Sequence, residues 1–153
     1  MEWQQALVTF GAFIVGGGIT FIVQRRIAKE DREARHKTET CNAMRGLLVE
    51  IDENIGFAQK DPMGVRVLFP TYMWEVHKER VGTLPLTLRD NLSKAYSYLK
   101  EANTVAQTAL AYAGKYNPGA WDKRYVAEVK EAEPLLRKAR EALAEWLVQY
   151  NDS

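Results

Sequence analysis

Apolar and polar positions along the chain fall into two regimes. From Ala6 to Val23 the apolar run is broken only by Thr9 and Thr20 and by glycines, and no charged side chain occurs between Glu2 and Arg25. After Cys41 the apolar residues instead recur three and four apart, the period of a helix that buries one face. The first regime predicts a transmembrane helix, because residues 6–23 would extend roughly 27 Å at 1.5 Å per residue, near the hydrocarbon thickness of a bilayer. Its Leu, Val, Ile and Phe side chains would contribute about −3 to −6 kcal/mol to insertion, against which the glycines and threonines count.

In the second regime, Cys41, Met44, Leu48, Ile51, Ile55 and Ala58 make a buried seam on a helix that should end near Lys60, where Asp61-Pro62-Met63-Gly64 is strong punctuation. Val65 to Phe69 alternates like a strand but has no partner strand, which predicts an extended loop over the core. A short helix is expected over 72–81, with Thr71 as N-cap, Trp74 as its anchor and Gly82 as its stop. Thr83-Leu84-Pro85 restarts a helix toward Ala113 whose apolar face is Leu88, Leu92, Ala95, Leu99, Ala102, Ala106, Ala109 and Ala113. Asn103 lies beside that face and needs hydrogen-bond partners. After a turn at Tyr116-Asn117-Pro118-Gly119, a last helix runs over about 120–150, with Pro134 expected to kink or split it after Glu133. The expected fold class is therefore all-α. An anchor (1–24) continues into a charged stalk helix (25–40), followed by an antiparallel helical bundle of three long helices and one short one (41–150).

The flanks set the anchor's ends and its sidedness. Trp3 suits the headgroup level at one end, while Arg25, Arg26 and Lys29 suit it at the other, their stems snorkelling along the lipid. Arg25, Arg26, Lys29, Arg32, Arg35 and Lys37 outnumber Glu30, Asp31 and Glu33, which puts this flank and the bundle in the cytoplasm. A cleavable signal peptide fits poorly, since the chain opens without a basic segment and Val23 leads straight into arginines. Thr9, Ala12, Gly16 and Thr20 recur at helical spacing and would let the anchor of a second copy pack closely. In the stalk, Lys29 and Glu33, Asp31 and Arg35, and Glu33 and Lys37 are spaced for ion pairs. Glu30 and Lys37 weaken a coiled coil that would otherwise run through Ile27, Ala34, Cys41, Leu48 and Ile55.

Composition narrows the classes. The 153 residues are 27% charged and 46% hydrophobic, ordinary globular material for one domain beside the anchor. A formal charge of +1, with no basic run interleaved with stacking aromatics, gives no reason to invoke nucleic acid. The single cysteine, Cys41, cannot close an intramolecular disulfide. Two histidines and one cysteine, without C-x-x-C or H-E-x-x-H spacing, point to no metal and no cofactor. Glu33-Ala-Arg-His36 has a di-iron spacing but stands alone on the charged stalk. No serine sits in a nucleophile elbow, so no catalytic residue is assigned.

Leu48, Glu50, Ile51 and Asn54, followed by Trp74, Leu84, Leu92, Tyr96, Leu99 and Asn103, resemble small bacterial single-pass membrane proteins with an N-terminal anchor and a cytosolic helical domain. The resemblance covers about residues 45–103 and implies a fold and a membrane address but no reaction. It also suggests that Asn54 and Asn103 meet inside the bundle and satisfy each other's amides. Independently of the resemblance, Glu50 lies beside the buried seam, where a buried carboxylate is expected to cap a helix or accept hydrogen bonds. Tyr72, Trp74, Trp121, Tyr125 and Trp146 exceed what a small core needs to hide and are candidates for a surface that binds a protein partner. The expected function is thus a non-catalytic interaction or scaffolding protein on the inner membrane, its partners being the bilayer, a second copy through the anchor, and an unidentified protein. The alternative is a prophage envelope or lysis component with the opposite topology.

Overall fold

The computed structural model describes the backbone of residues 2–60, 67–112 and 118–152, and the side chains of residues 21, 23–60, 67–112, 119 and 122–151. It is all-helical: α1 (Glu2–Gln59), α2 (Tyr72–His77), a 3-10 turn (Arg80–Thr83), α3 (Leu86–Ala111) and α4 (Pro118–Asp152). The chain divides into two compact units, Met1–Glu39 and Thr40–Ser153.

The first unit is the N-terminal part of α1. Arg26 pairs with Glu30 at 3.2 Å and Lys29 with Glu33 at 3.7 Å, the i,i+4 pattern of a solvated helix. Phe21, Val23 and Ile27 stand exposed, and the Arg25 guanidinium lies 5.0 Å over the Phe21 ring. Among the described residues, no helix is long and apolar enough to cross a membrane. Apart from Phe21 and Val23, the side chains of the apolar stretch 6–23 lie outside the described residues, as do those of Trp3, Thr9, Ala12, Gly16 and Thr20. So do the expected turn at Asp61–Gly64 and Val65.

The second unit is a bundle of Thr40–Gln59 of α1 with α3 and α4. Its core joins Met44, Leu47, Ile51 and Ile55 of α1 to Leu92, Leu99 and Ala106 of α3 and to Val129, Leu136 and Leu143 of α4. On α3, the expected face from Leu88 to Ala109 is buried throughout, with Tyr96 and Val105 added. Small residues there bring α4 close, and Ala132 and Ala139 answer them from the other side. On α1 the buried arc is wider than the expected seam. Leu47 is fully covered and Leu48 only partly, because α1 is enclosed by two helices and by the segment that follows it.

Direction departs from expectation: α1 and α3 run parallel. Glu50 bonds to Tyr96, while seven residues further along each helix Phe57 and Asn103 both meet Phe69. Residues 67–85 of the connection therefore return down the cleft between them, which a long link permits and a short hairpin would not. Only α4 is antiparallel, its Arg124 pairing with Glu101 of α3 and its Arg140 with Asp52 of α1. The short helix also ends earlier than expected, at His77, and resumes as the 3-10 turn that contains Gly82. The last helix starts at Pro118, the first-turn position that tolerates a missing N–H.

Nor does α4 split at Pro134, which lies inside the continuous helix. Its missing N–H leaves the Lys130 carbonyl without its usual donor, but both positions are exposed and water can serve it. The opposite face, Ala132, Leu136 and Ala139, is buried on both sides of the proline and anchors both halves to the core. Pro134→Ala should accordingly stabilise the bundle by about 1–3 kcal/mol, read from the midpoint of urea unfolding followed by circular dichroism.

Candidate functional site

The polar groups of the bundle converge on one segment, residues 67–77, which runs along the cleft between α1 and α3. Residues 67–70 belong to no helix and have no neighbouring strand among the described residues, so their backbone needs partners from side chains. Four supply them. The Tyr125 hydroxyl of α4 donates to the Val67 carbonyl at 2.8 Å and accepts from the Val67 N–H at 3.1 Å. Asn103 of α3 does the same for Phe69, Oδ1 accepting from its N–H at 2.8 Å and Nδ2 donating to its carbonyl at 2.9 Å. A primary amide sets a donor beside an acceptor, as a residue of an antiparallel strand does, so Asn103 stands in for the absent strand.

The α1 wall treats the next residues likewise. Asn54 Nδ2 donates to the Pro70 carbonyl at 2.9 Å. Glu50 then accepts from the N–H groups of Met73 at 2.7 Å and Trp74 at 3.2 Å, in the first turn of α2. Thr71, the expected N-cap, makes no side-chain capping bond. The carboxylate of a distant helix performs that task, where its charge also complements the helix dipole. Glu50 is almost fully buried and accepts a third bond from the Tyr96 hydroxyl at 2.8 Å. Burial, with the Glu50 carboxylate beside it, holds the Tyr96 hydroxyl far above its ordinary pKa of 10.0. Burial likewise raises that of Tyr125, against the lowering effect of its bond to Val67.

Apolar contacts complete the hold. Phe69 is the buried side chain of the segment; it meets Phe57 edge-on at 6.4 Å and stacks on Tyr125 at 6.2 Å. Trp74 stacks on Tyr96 with centroids 4.8 Å apart and planes 7° apart. The helix α2 buries no residue fully. Its Glu75 pairs with Lys100 and Lys78, which hold that carboxyl below its ordinary value. Beside the segment a groove of about 620 Å³ opens between Glu53, Phe57 and Lys60 of α1 and Leu68 and Pro70.

The structure rearranges several expected site residues. Asn54 and Asn103 do not pair with each other; each turns to the segment's backbone, because that segment lies between their helices. Glu50 and Asn54 are buried, and Asn103 is half-buried. Of the partner-surface candidates, Tyr72 is 71% exposed, whereas Trp74 and Trp146 are half-buried, Trp146 stacking on Tyr150 at 4.4 Å. Tyr125 leaves that set, since it is buried and holds Val67. The Trp121 side chain lies outside the described residues. The grip of Tyr125 on Val67 had no signal in helix periodicity. Among the described residues, no group of three or more His, Cys, Asp or Glu side chains is placed to hold a metal ion. No protein-family model, curated protein or solved structure matches the chain.

Two expectations follow for stability. Asn103→Ala leaves both backbone groups of Phe69 without their partner and should cost about 2–4 kcal/mol in urea unfolding. Raised hydroxyl pKa values mean that the folded chain keeps protons that the unfolded chain releases from pH 10.0 upward. The contribution of Tyr96 and Tyr125 is therefore complete below that pH and is lost as pH rises beyond it. The melting temperature should fall as pH passes 10.0, and Tyr96→Phe should melt lower at neutral pH but show a shallower alkaline fall.

Proposed function

We propose that the chain is a membrane-anchored, non-catalytic helical interaction or scaffolding protein, held in a bacterial inner membrane by residues 6–23, with its bundle on the cytoplasmic side. The observation that carries this reading is the exposure of Phe21, Val23 and Ile27 on α1, next to Arg25 and Arg26. Large apolar side chains left bare at the end of an uncharged apolar stretch are costly in water and favourable in lipid, and arginines at the rim match an interface. The non-catalytic part is supported by the use of Glu50, Asn103, Tyr96 and Tyr125, the chemically capable groups of the cleft, in hydrogen bonds to the chain itself. Tyr72, exposed on α2, remains available to a protein partner.

When the chain is expressed in a bacterium, it should sediment with membranes, resist extraction by alkaline carbonate and dissolve in detergent. Removal of residues 2–23 should move it to the supernatant. A full-length chain that stays in the supernatant without detergent refutes the anchor. Alkaline phosphatase fused after Ser153 should be inactive; an active fusion would reverse the sidedness and favour the envelope or lysis component.

A further inference from the structure

Residues 67–70 are gripped in the cleft between α1 and α3 largely through their backbone. Tyr125 and Asn103 each take both polar groups of one residue, and only Phe69 lends a fully buried side chain. Such a grip reads an extended chain with one large apolar side chain and is indifferent to most of the rest of its sequence. Leu68 shows this from the other side, being 48% exposed.

One wall group of the cleft is left without a match. Asn54 is fully buried, and its Nδ2 is engaged by the Pro70 carbonyl, but its Oδ1 has no hydrogen-bond partner. The N–H and C=O of one residue in an extended chain point to the same side, which is why Asn103 meets both at Phe69. At position 70 the same arrangement would offer Asn54 Oδ1 an N–H, and proline has none. The two asparagines thus face successive residues from opposite walls, one fully matched and one half matched.

We propose that this cleft is a recognition site for an extended segment of a partner protein, occupied in cis by residues 67–70, and that Pro70 keeps this occupation displaceable. The competing segment carries a large apolar side chain in the place of Phe69, followed by a residue other than proline. Exchange is favoured over simple opening. An emptied cleft leaves Asn54, Asn103 and Tyr125 without partners, whereas a competitor restores those bonds and adds the one to Asn54 Oδ1. This inference deepens the interaction reading above and rests on it; the anchor is tested separately by sedimentation, so either can fail alone.

The test uses the full-length chain in detergent micelles and two fluorescein-labelled peptides, one copying residues 67–73 and one with alanine in place of Pro70. Against the Phe69→Ala variant, whose own segment is loosened, both peptides should bind by fluorescence anisotropy. The alanine peptide should bind about fivefold tighter, the worth of one hydrogen bond. Wild type, with its cleft filled, should bind at least about tenfold more weakly, as expected when the competent state is scarce. A Phe69→Ala variant that keeps its helical circular dichroism but binds neither peptide, or binds both equally, overturns the proposal. Should that variant fail to fold, hydrogen exchange on wild type decides. The Val67 and Phe69 amides should exchange faster than those of Leu92 to Leu99, and Pro70→Ala should slow them several-fold. Exchange only at the rate of global unfolding, unchanged by Pro70→Ala, overturns it equally.

Discussion

The pairing of an unpartnered stretch of backbone with side chains from three different helices is the constraint on which the second unit depends. Residues 67–71 pass between α1 and α3 without a strand beside them, and buried peptide groups left unmatched would each cost about 1–3 kcal/mol. Tyr125, Asn103 and Asn54 remove much of that cost, and together with Glu50, which holds the N–H groups of Met73 and Trp74, they fix how α1, α3 and α4 stand against one another. A core of Leu, Ile and Ala alone would tolerate helices sliding by a turn. Bonds to particular peptide groups do not, so the polar contacts give the bundle its register while the apolar ones give it most of its stability.

Glu50 joins these roles. It closes the N-terminus of a helix too short to hold together alone, and it accepts the hydroxyl of the tyrosine on which Trp74 stacks. Position, charge and stacking thus meet at one carboxylate, and α2 exists because α1 and α3 provide for it. The segment as a whole is a guest of the bundle, consistent with its shallow burial and with the exposure of Leu68 and Tyr72.

Much of this was legible in the chain. The face of α3 from Leu88 to Ala109 follows from its three- and four-residue spacing, and burial at those positions is complete. Asn103 and Glu50 were recognisable as polar residues beside apolar faces, hence as groups in need of partners. What they pair with was not legible, because the recipients are backbone atoms of a segment remote in sequence. Residues 54, 103 and 125 share no period that would tie them to residue 67 or 69. The alternation before Phe69 did indicate extended backbone, but a strand paired by side chains leaves no second alternating run to find. Helix direction escaped for a similar reason: an amphipathic face looks the same whichever way its neighbour runs, and the one clue was the long connection over 60–85. The split expected at Pro134 did not occur: local backbone chemistry was weighed without the buried face that spans it.

The parallel order of α1 and α3 carries a consequence for how the polypeptide comes into being. Met44, Leu47 and Ile51 share their core with residues of α3 and α4, which leave the ribosome after them. The α3–α4 hairpin can close through a short link, whereas α1 must await the return of the whole intervening connection. The helix made before its partners is thus enclosed after them, and until α3 and α4 have emerged its greasy side is bare to chaperones and to neighbouring nascent chains.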